Sequence, residues 1–259
     1  MTSILTNASA MTALQTLNNT NKNLATTQDR IATGQRVSSA SDNAAYWSIA
    51  TGMRTQNSAL SAVKDGLGLG ASVVDTAYTA LNDAIKIAQD IHAKYVARDT
   101  PGTDTAVIDA DIAQSKSAIT DISTGATFQG VNLLTGTATQ AIVTGYTAGT
   151  GVTTMTVTGY DLSTALGGAA TAATVETAIN AMKDAAAAFG SAKTRIETQQ
   201  SFTSNLMDAI DRGVGQLVDA DMNAESARLS ALQVQQQLGI QALSIANSSN
   251  QSILTLFRG

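Results

Sequence analysis

Three short segments of the sequence contain residues whose types and spacing could support binding or catalysis. Residues 66–71 (GLGLGA) match the G-x-G-x-x-A pattern of dinucleotide-binding loops, in which glycines let the backbone approach a pyrophosphate. Residues 219–223 (DADMN) begin like a calcium-binding loop, in which alternate polar side chains supply oxygen ligands. His92 is the only histidine of the chain, and an imidazole can transfer protons or bind a metal. The elements around each segment decide whether this chemistry is possible.

The surroundings of these segments favour structural roles. A dinucleotide site needs a strand before the glycines, whereas helical periodicity lies on both sides of residues 66–71, so we expect a break or a closely packed point in a long helix. A calcium loop needs glycine at its sixth position and glutamate at its twelfth, where this chain has Ala224 and Ser230, so residues 219–223 are better explained as a helix cap. His92 lies in a polar stretch and is typical of a solvated helix residue.

Composition excludes several classes of protein. With one histidine and no cysteine, histidine-based triads and zinc protease motifs cannot be built, so we expect no enzyme, no cofactor and no metal site. The net charge is −5 and no basic patch is present, which argues against nucleic-acid binding. No apolar run is long enough to span a membrane and no secretory signal opens the sequence, so export would need a route that keeps the N-terminus. A single proline in 259 residues permits very long helices.

Apolar periodicity predicts long helices in both flanks of the chain. In the first helix, Asn21 and Gln28 fill gaps in a 3-4-3-4 seam of four apolar residues, Leu14, Leu17, Leu24 and Ile31. We expect Gly34 to end this helix and Ser41 or Asp42 to cap the next.

The second helix, from about residue 43 to about residue 97, has the most regular seam. Its members are Val74, Ala77, Leu81, Ala84, Ala88, Ile91 and Tyr95. Residues 98–102 (RDTPG) predict a turn after it. A helix of this length extends roughly 80 Å, so we expect an elongated molecule.

The remainder of the chain continues this mainly helical pattern. A shorter helix ends near residues 124–125, and two Thr-rich segments within residues 136–168 predict a β-hairpin. A return helix follows, which we expect Gly213 and Gly215 to interrupt. Its apolar face comprises Val175, Ile179, Met182, Phe189, Ile196, Phe202, Leu206 and Ile210. The last helix has the seam Ala227, Ala231, Val234, Leu238, Ala242, Ile245 and Ile253.

Both ends of the chain lack charged side chains. None occurs in residues 2–21 or 229–257, although solvated helices normally carry Lys and Glu on their outer faces. Flexible polar tails are one explanation, but the apolar seams are regular. The pattern favours terminal helices that neighbouring subunits bury.

Six segments, in the correct order, resemble motifs of the bacterial flagellin family. They are residues 4–7 (ILTN), 30–37 (RIATGQRV), 39–45 (SASDNAA), 127–134 (TFQGVNLL), 219–222 (DADM) and 251–258 (QSILTLFR). Asn43 replaces an acidic residue of the family motif. The resemblance extends over nearly the whole chain except the central hairpin, and it identifies a short member with a minimal central region.

The resemblance implies a mainly α fold: an elongated bundle of long antiparallel helices with coiled-coil packing and one β-hairpin, in which the terminal helices pair. It implies a filament-core domain from residues 1–40 and 219–259, and an outer helical domain from residues 41–135 and 171–218. Residues 136–170 would form a β-hairpin and linker between the two segments of the outer helical domain. The ends would fold on assembly. The expected subunit-interface residues are Leu14, Leu17, Leu24, Arg30, Ile31, Arg36, Leu238, Ile245, Ile253 and Leu256.

The implied function is that of an extracellular filament subunit of the flagellum whose main partner is itself. The resemblance also implies contacts with the flagellar export apparatus, a secretion chaperone, the filament cap and hook-junction proteins. The main alternative is a hook–filament junction protein, which has similar ends but should have a longer central region. A signalling coiled coil is a further alternative, but a receptor would need a membrane span.

Overall fold

The computed structural model describes residues 7–137 and 139–256, with the side chains of residues 249–256 excepted. The helices of this part are α1 (Ala8–Thr33), α2 (Ala44–Arg98), α3 (Thr105–Gly125), α4 (Leu162–Gly167), α5 (Ala172–Val218) and α6 (Met222–Leu256). The strands are β1 (Thr127–Phe128), β2 (Val131–Asn132), β3 (Thr139–Thr147) and β4 (Gly151–Thr158). The mainly α fold with a β-hairpin is therefore confirmed. Among the described residues, no helix combines the length and the apolar character that crossing a bilayer requires.

Contacts divide the chain into two compact units. One is Thr55–Ile210, and the other combines Met1–Arg54 with Asp211–Gly259. The core of the first unit contains the predicted seam of α2, whose members from Val74 to Tyr95 are at most 6% exposed. The α5 positions Val175, Met182 and Ile196 are fully buried in the same cluster. The seams of α2 and α5 were therefore predicted correctly, except that Phe202 of the α5 pattern is 57% exposed.

The β-hairpin packs on α2 at the glycines of residues 66–71. β3 and β4 pair antiparallel, with Ile142 opposite Met155. A Cβ on Gly70 would lie 2.5 Å from Ile142 Cγ2, whereas a Cβ on Gly66 would lie 4.0 Å from Val143 Cβ. The glycine motif is therefore a closely packed point of α2, because a larger residue at position 70 would collide with β3.

Two local predictions about helix boundaries were wrong. Asn43, rather than Ser41 or Asp42, caps α2, because its side chain accepts hydrogen bonds from the N–H groups of Ala45 and Tyr46. Asp42 instead accepts from the N–H groups of Ser38 and Ser39 in the preceding turn.

The glycines of α5 do not interrupt that helix, which continues through Gly213 and Gly215 to Val218. A Cβ on Gly213 would lie 2.8 Å from Met53 Cε, so Gly213 is explained by close packing. Asp221 caps α6 by accepting from the N–H groups of Asn223 and Ala224, which confirms the helix cap predicted there.

Candidate assembly interface on the terminal helices

Helices α1 and α6 pair in antiparallel orientation within the discontinuous unit. The register follows from four contacts along their length: Asn7 with Ala246, Leu17 with Gly239, Asn21 with Gln236, and Arg30 with Glu225. A Cβ on Gly239 would lie 3.2 Å from Leu17 Cδ1, so the missing side chain allows the two helices to approach closely. The predicted pairing of the terminal helices is confirmed.

The buried face of α1 differs by one position from the predicted seam. Thr20 and Thr27 are buried between the half-buried Leu17, Leu24 and Ile31, so they occupy the gaps that we assigned to Asn21 and Gln28. Leu14 is 49% exposed and belongs to the outer side of the helix. Threonine can occupy the seam because its hydroxyl finds a partner in its own helix: Thr20 Oγ1 donates to the Thr16 carbonyl at 3.0 Å.

Arg30 and Glu225 form the ion pair of the interface. Arg30 Nη1 lies 3.1 Å from Glu225 Oε1, and the side chains are 27% and 11% exposed. Glu225 Oε2 is buried without a hydrogen-bond partner, so this carboxylate depends on Arg30 for compensation of its charge. Both residues occur one turn inside their helices: Arg30 begins the flagellin-like segment of residues 30–37, and Glu225 lies three residues after the segment of residues 219–222.

Arg36 connects the segment after α1 with the end of α5. Its Nη2 donates to the Leu217 carbonyl at 3.0 Å, and its guanidinium carbon lies 5.9 Å from the centroid of the Tyr46 ring. The backbone N–H of Arg36 donates to the Val218 carbonyl at 2.6 Å. Arg36 therefore holds the chain within this unit, and its role at a subunit interface stays a prediction.

The predicted seam of α6 does not face α1. Leu232 is buried and Gly239 meets Leu17, whereas Val234, Leu238 and Ile245 are 55%, 57% and 68% exposed. The seam that we expected thus forms an outer face of the helix, and a second apolar stripe contacts α1. The side chains of Ile253 and Leu256 lie outside the described residues.

Apolar side chains therefore remain exposed on a helix pair that has no charge over most of its length. The outer face, as used below, comprises the exposed Met11, Leu14, Val234, Leu238 and Ile245. A helix with apolar residues on all sides is normally enclosed by protein. Within the described residues, no group of three or more acidic, histidine or cysteine side chains could hold a metal ion.

Comparison with known proteins identifies the family. The model of the bacterial flagellin N-terminal helical region matches residues 4–139, and that of the flagellin C-terminal helical region matches residues 172–257. The chain belongs to the flagellin family. It is 51% identical to a flagellin of Brucella melitensis over 100% of both chains. It is 42% identical to flagellin C of Rhizobium meliloti over 100% of both chains, and 38% identical to flagellin FljK of Caulobacter vibrioides over 100% of this chain and 99% of that one.

A solved structure, that of Bacillus cereus flagellin, aligns with 63% of this chain and 94% of its own length at 19% identity and a TM-score of 0.37. The family assignment depends on the sequence matches alone. Flagellins are structural proteins, not enzymes, and they associate with copies of themselves to form the extracellular flagellar filament. The chain is accordingly a filament subunit, and the full-length matches do not favour a hook–filament junction protein.

Proposed function

We propose that this flagellin polymerises through the outer face of the α1–α6 pair, with residues 1–40 and 219–259 forming the core of the filament. The observation that carries the proposal is the exposure of Leu238 and Ile245, 57% and 68%, on a helix without charges from Leu229 onward. Copies of the same uncharged surface can cover one another without burying an unpaired charge. Repetition of such a contact without closure produces a helical fibre.

The energetics support folding of the terminal helices on assembly. α1 and α6 have exposed apolar side chains among uncharged polar ones, and an isolated helix gains little stability in water without a surface to pack against. Burying a leucine or isoleucine side chain completely contributes about 1.5–3 kcal/mol, and the side chains of the outer face are about half exposed. Five such side chains give a favourable contribution of roughly 4–8 kcal/mol per subunit, enough to offset part of the cost of ordering the ends.

The remaining assignments follow the family. Residues 41–135 and 171–218 would form the outer helical domain, and residues 136–170 the hairpin and linker that join its helices. We propose the flagellar export apparatus and a secretion chaperone as partners before assembly, and the filament cap and hook-junction proteins as partners at its ends. We propose that the chain leaves the cell through this export apparatus.

Replacing one exposed residue of the outer face by aspartate tests the proposal. In Leu238→Asp, a carboxylate would be buried at the subunit interface without a partner, at a cost of at least about 3 kcal/mol. The critical concentration for polymerisation should rise by roughly 100-fold or more. It is measured by sedimentation of filaments grown from purified monomer with filament seeds, and electron microscopy checks the pellet.

The matched control is an aspartate at a similarly exposed apolar residue of the other unit. Val107 is 64% exposed in the first turn of α3, where an acidic side chain suits the helix dipole. Val107→Asp should polymerise normally, and the thermal melts of both variants as monomers should match that of the unmodified chain. Normal filaments from Leu238→Asp would show that the outer face is not a subunit interface.

A further inference from the structure

The first turns of α2 carry large apolar side chains that the chain leaves exposed. Tyr46, Trp47 and Ile49 are 40%, 39% and 51% exposed. No charged residue occurs between Asn43 and Met53 in the sequence, although the Arg36 guanidinium lies 5.9 Å from the centroid of the Tyr46 ring.

These side chains do not share one face of the helix. At 100° per residue, Trp47 and Ile49 point about 200° apart, with Tyr46 between them on the side of the buried Ala50. A helix start that is apolar on several sides is enclosed by protein in its working state. Trp and Tyr are also the residues most enriched at the energetic centres of protein interfaces.

We propose that a second copy of this chain encloses the start of α2 in the filament and that Trp47 is buried at this contact. The inference rests on the proposed function, since it adds a second contact region to the polymer. It concerns residues 46–49 of the same unit, which lie outside both terminal helices.

The chain itself supplies a suitable partner surface. An exposed, uncharged aromatic side chain is best covered by a surface that brings no charge, because a buried unpaired charge is costly. The outer face of the α1–α6 pair is apolar and uncharged from residue 229 to residue 248. The start of α2 also adjoins the segment that follows α1. The Arg36 guanidinium lies over the Tyr46 ring, and the Arg36 backbone N–H donates to the Val218 carbonyl at the end of α5.

Trp47 is the only tryptophan of the chain and therefore reports on its own environment. The experiment records tryptophan emission and acrylamide quenching of purified monomer and of filaments grown from it. We expect the emission of the filament to shift to shorter wavelength and Trp47 to become largely inaccessible to acrylamide. Folding of the chain alone leaves Trp47 39% exposed, so complete protection requires another copy. The non-polymerising Leu238→Asp variant in assembly buffer controls for effects of the buffer.

A substitution series measures the contribution of the contact. The indole has on the order of 100 Å² of surface left to bury, which corresponds to a roughly 70-fold change in association. Trp47→Ser should therefore raise the critical concentration by roughly 70-fold, and Ile49→Ser should raise it to a smaller extent. The control Phe202→Ser removes an aromatic side chain that is 57% exposed in the other unit and should change the critical concentration little.

The outcomes separate this inference from the proposed function. If Leu238→Asp polymerises normally, the outer face is not an interface and the proposed function fails. If filaments form normally but Trp47 remains as quenchable as in the monomer, only the contact at the start of α2 is overturned. Equal effects of Trp47→Ser and Phe202→Ser would overturn it too, because the loss of any exposed aromatic residue would then have the same consequence.

Discussion

Two glycines of α2, one turn apart, allow a stringent test of how the β-hairpin packs. Alanine is favoured over glycine in a helix interior by about 0.8–1 kcal/mol. At position 66 the new methyl group would meet only Val143 Cβ at 4.0 Å, an ordinary contact. Gly66→Ala should therefore stabilise the unit Thr55–Ile210 by nearly the full difference in helix propensity.

The same substitution at Gly70 should have the opposite effect. There the Cβ would lie 2.5 Å from Ile142 Cγ2 and 3.1 Å from its Cδ1, and Ile142 is only 4% exposed. Overpacking of this kind costs about 1–3 kcal/mol or more, which exceeds the gain in propensity. We expect Gly70→Ala to lower the free energy of unfolding by about 1–2 kcal/mol.

Thermal unfolding of the monomer, followed by circular dichroism, measures both effects. For a unit of about 150–250 residues, 1 kcal/mol corresponds to about 2–4 °C in Tm. Gly66→Ala should raise Tm by about 2–4 °C, and Gly70→Ala should lower it by about 2–8 °C. A Gly70→Ala protein as stable as Gly66→Ala would refute the argument that the glycine exists for contact with β3.

A double substitution identifies the contact directly. Ile142→Ala removes the three carbon atoms that the new methyl group would meet, although by itself it costs about 2–5 kcal/mol through the cavity it leaves. In the Gly70→Ala background the additional loss should be smaller by about 1–2 kcal/mol, because the collision is relieved. Strict additivity of the two substitutions would place the source of the strain elsewhere.

Two further predictions concern charged groups. Arg30→Ala leaves the buried Glu225 carboxylate without its partner and should cost about 2–3 kcal/mol, which would raise the critical concentration of polymerisation by roughly 30–150-fold. The control Lys86→Ala breaks an exposed ion pair and should change the critical concentration less than about twofold. Equal effects of the two substitutions would contradict the role given to burial. Asp161 caps α4, and hydrogen bonds from Ser163 hold the pKa of its carboxyl below the ordinary value of 3.8, so its stabilising contribution is present above that value and is lost as the pH falls through the lowered pKa. Urea unfolding of Asp161→Asn should therefore depend less on pH in this acidic range. An unchanged pH dependence would contradict the cap.

The parts of the fold that were predictable share a strong periodic signal. The seam of α2 repeats over six intervals without a break, and its turn contains the only proline together with Gly102, whose φ is +94°. The hairpin of β3 and β4 was visible as two Thr-rich alternating runs around glycines. Such signals are local, so no tertiary contact was needed to interpret them.

The errors occurred where a tertiary contact decides the structure. The helix α5 continues through Gly213, where Met53 packs over the glycine, and nothing near residue 213 in the sequence indicates this neighbour. The short β1–β2 hairpin was not predicted either. Its turn residues Gln129 and Gly130 both have positive φ, 50° and 79°, and a glycine after a polar residue is the signal that could have indicated it.

The interface residues were harder to order because α6 has more than one apolar stripe. Periodicity cannot distinguish the stripe that faces α1 from the stripe that remains exposed, since both contain leucine and alanine at helical spacing. The two stripes are distinguished by residues whose type makes sense only where α1 and α6 pack closely. Glu225 is a charged residue in a buried position and needs Arg30, and Gly239 has no side chain where Leu17 approaches. The stripe without such residues, which contains Leu238, is the one that we propose another subunit covers.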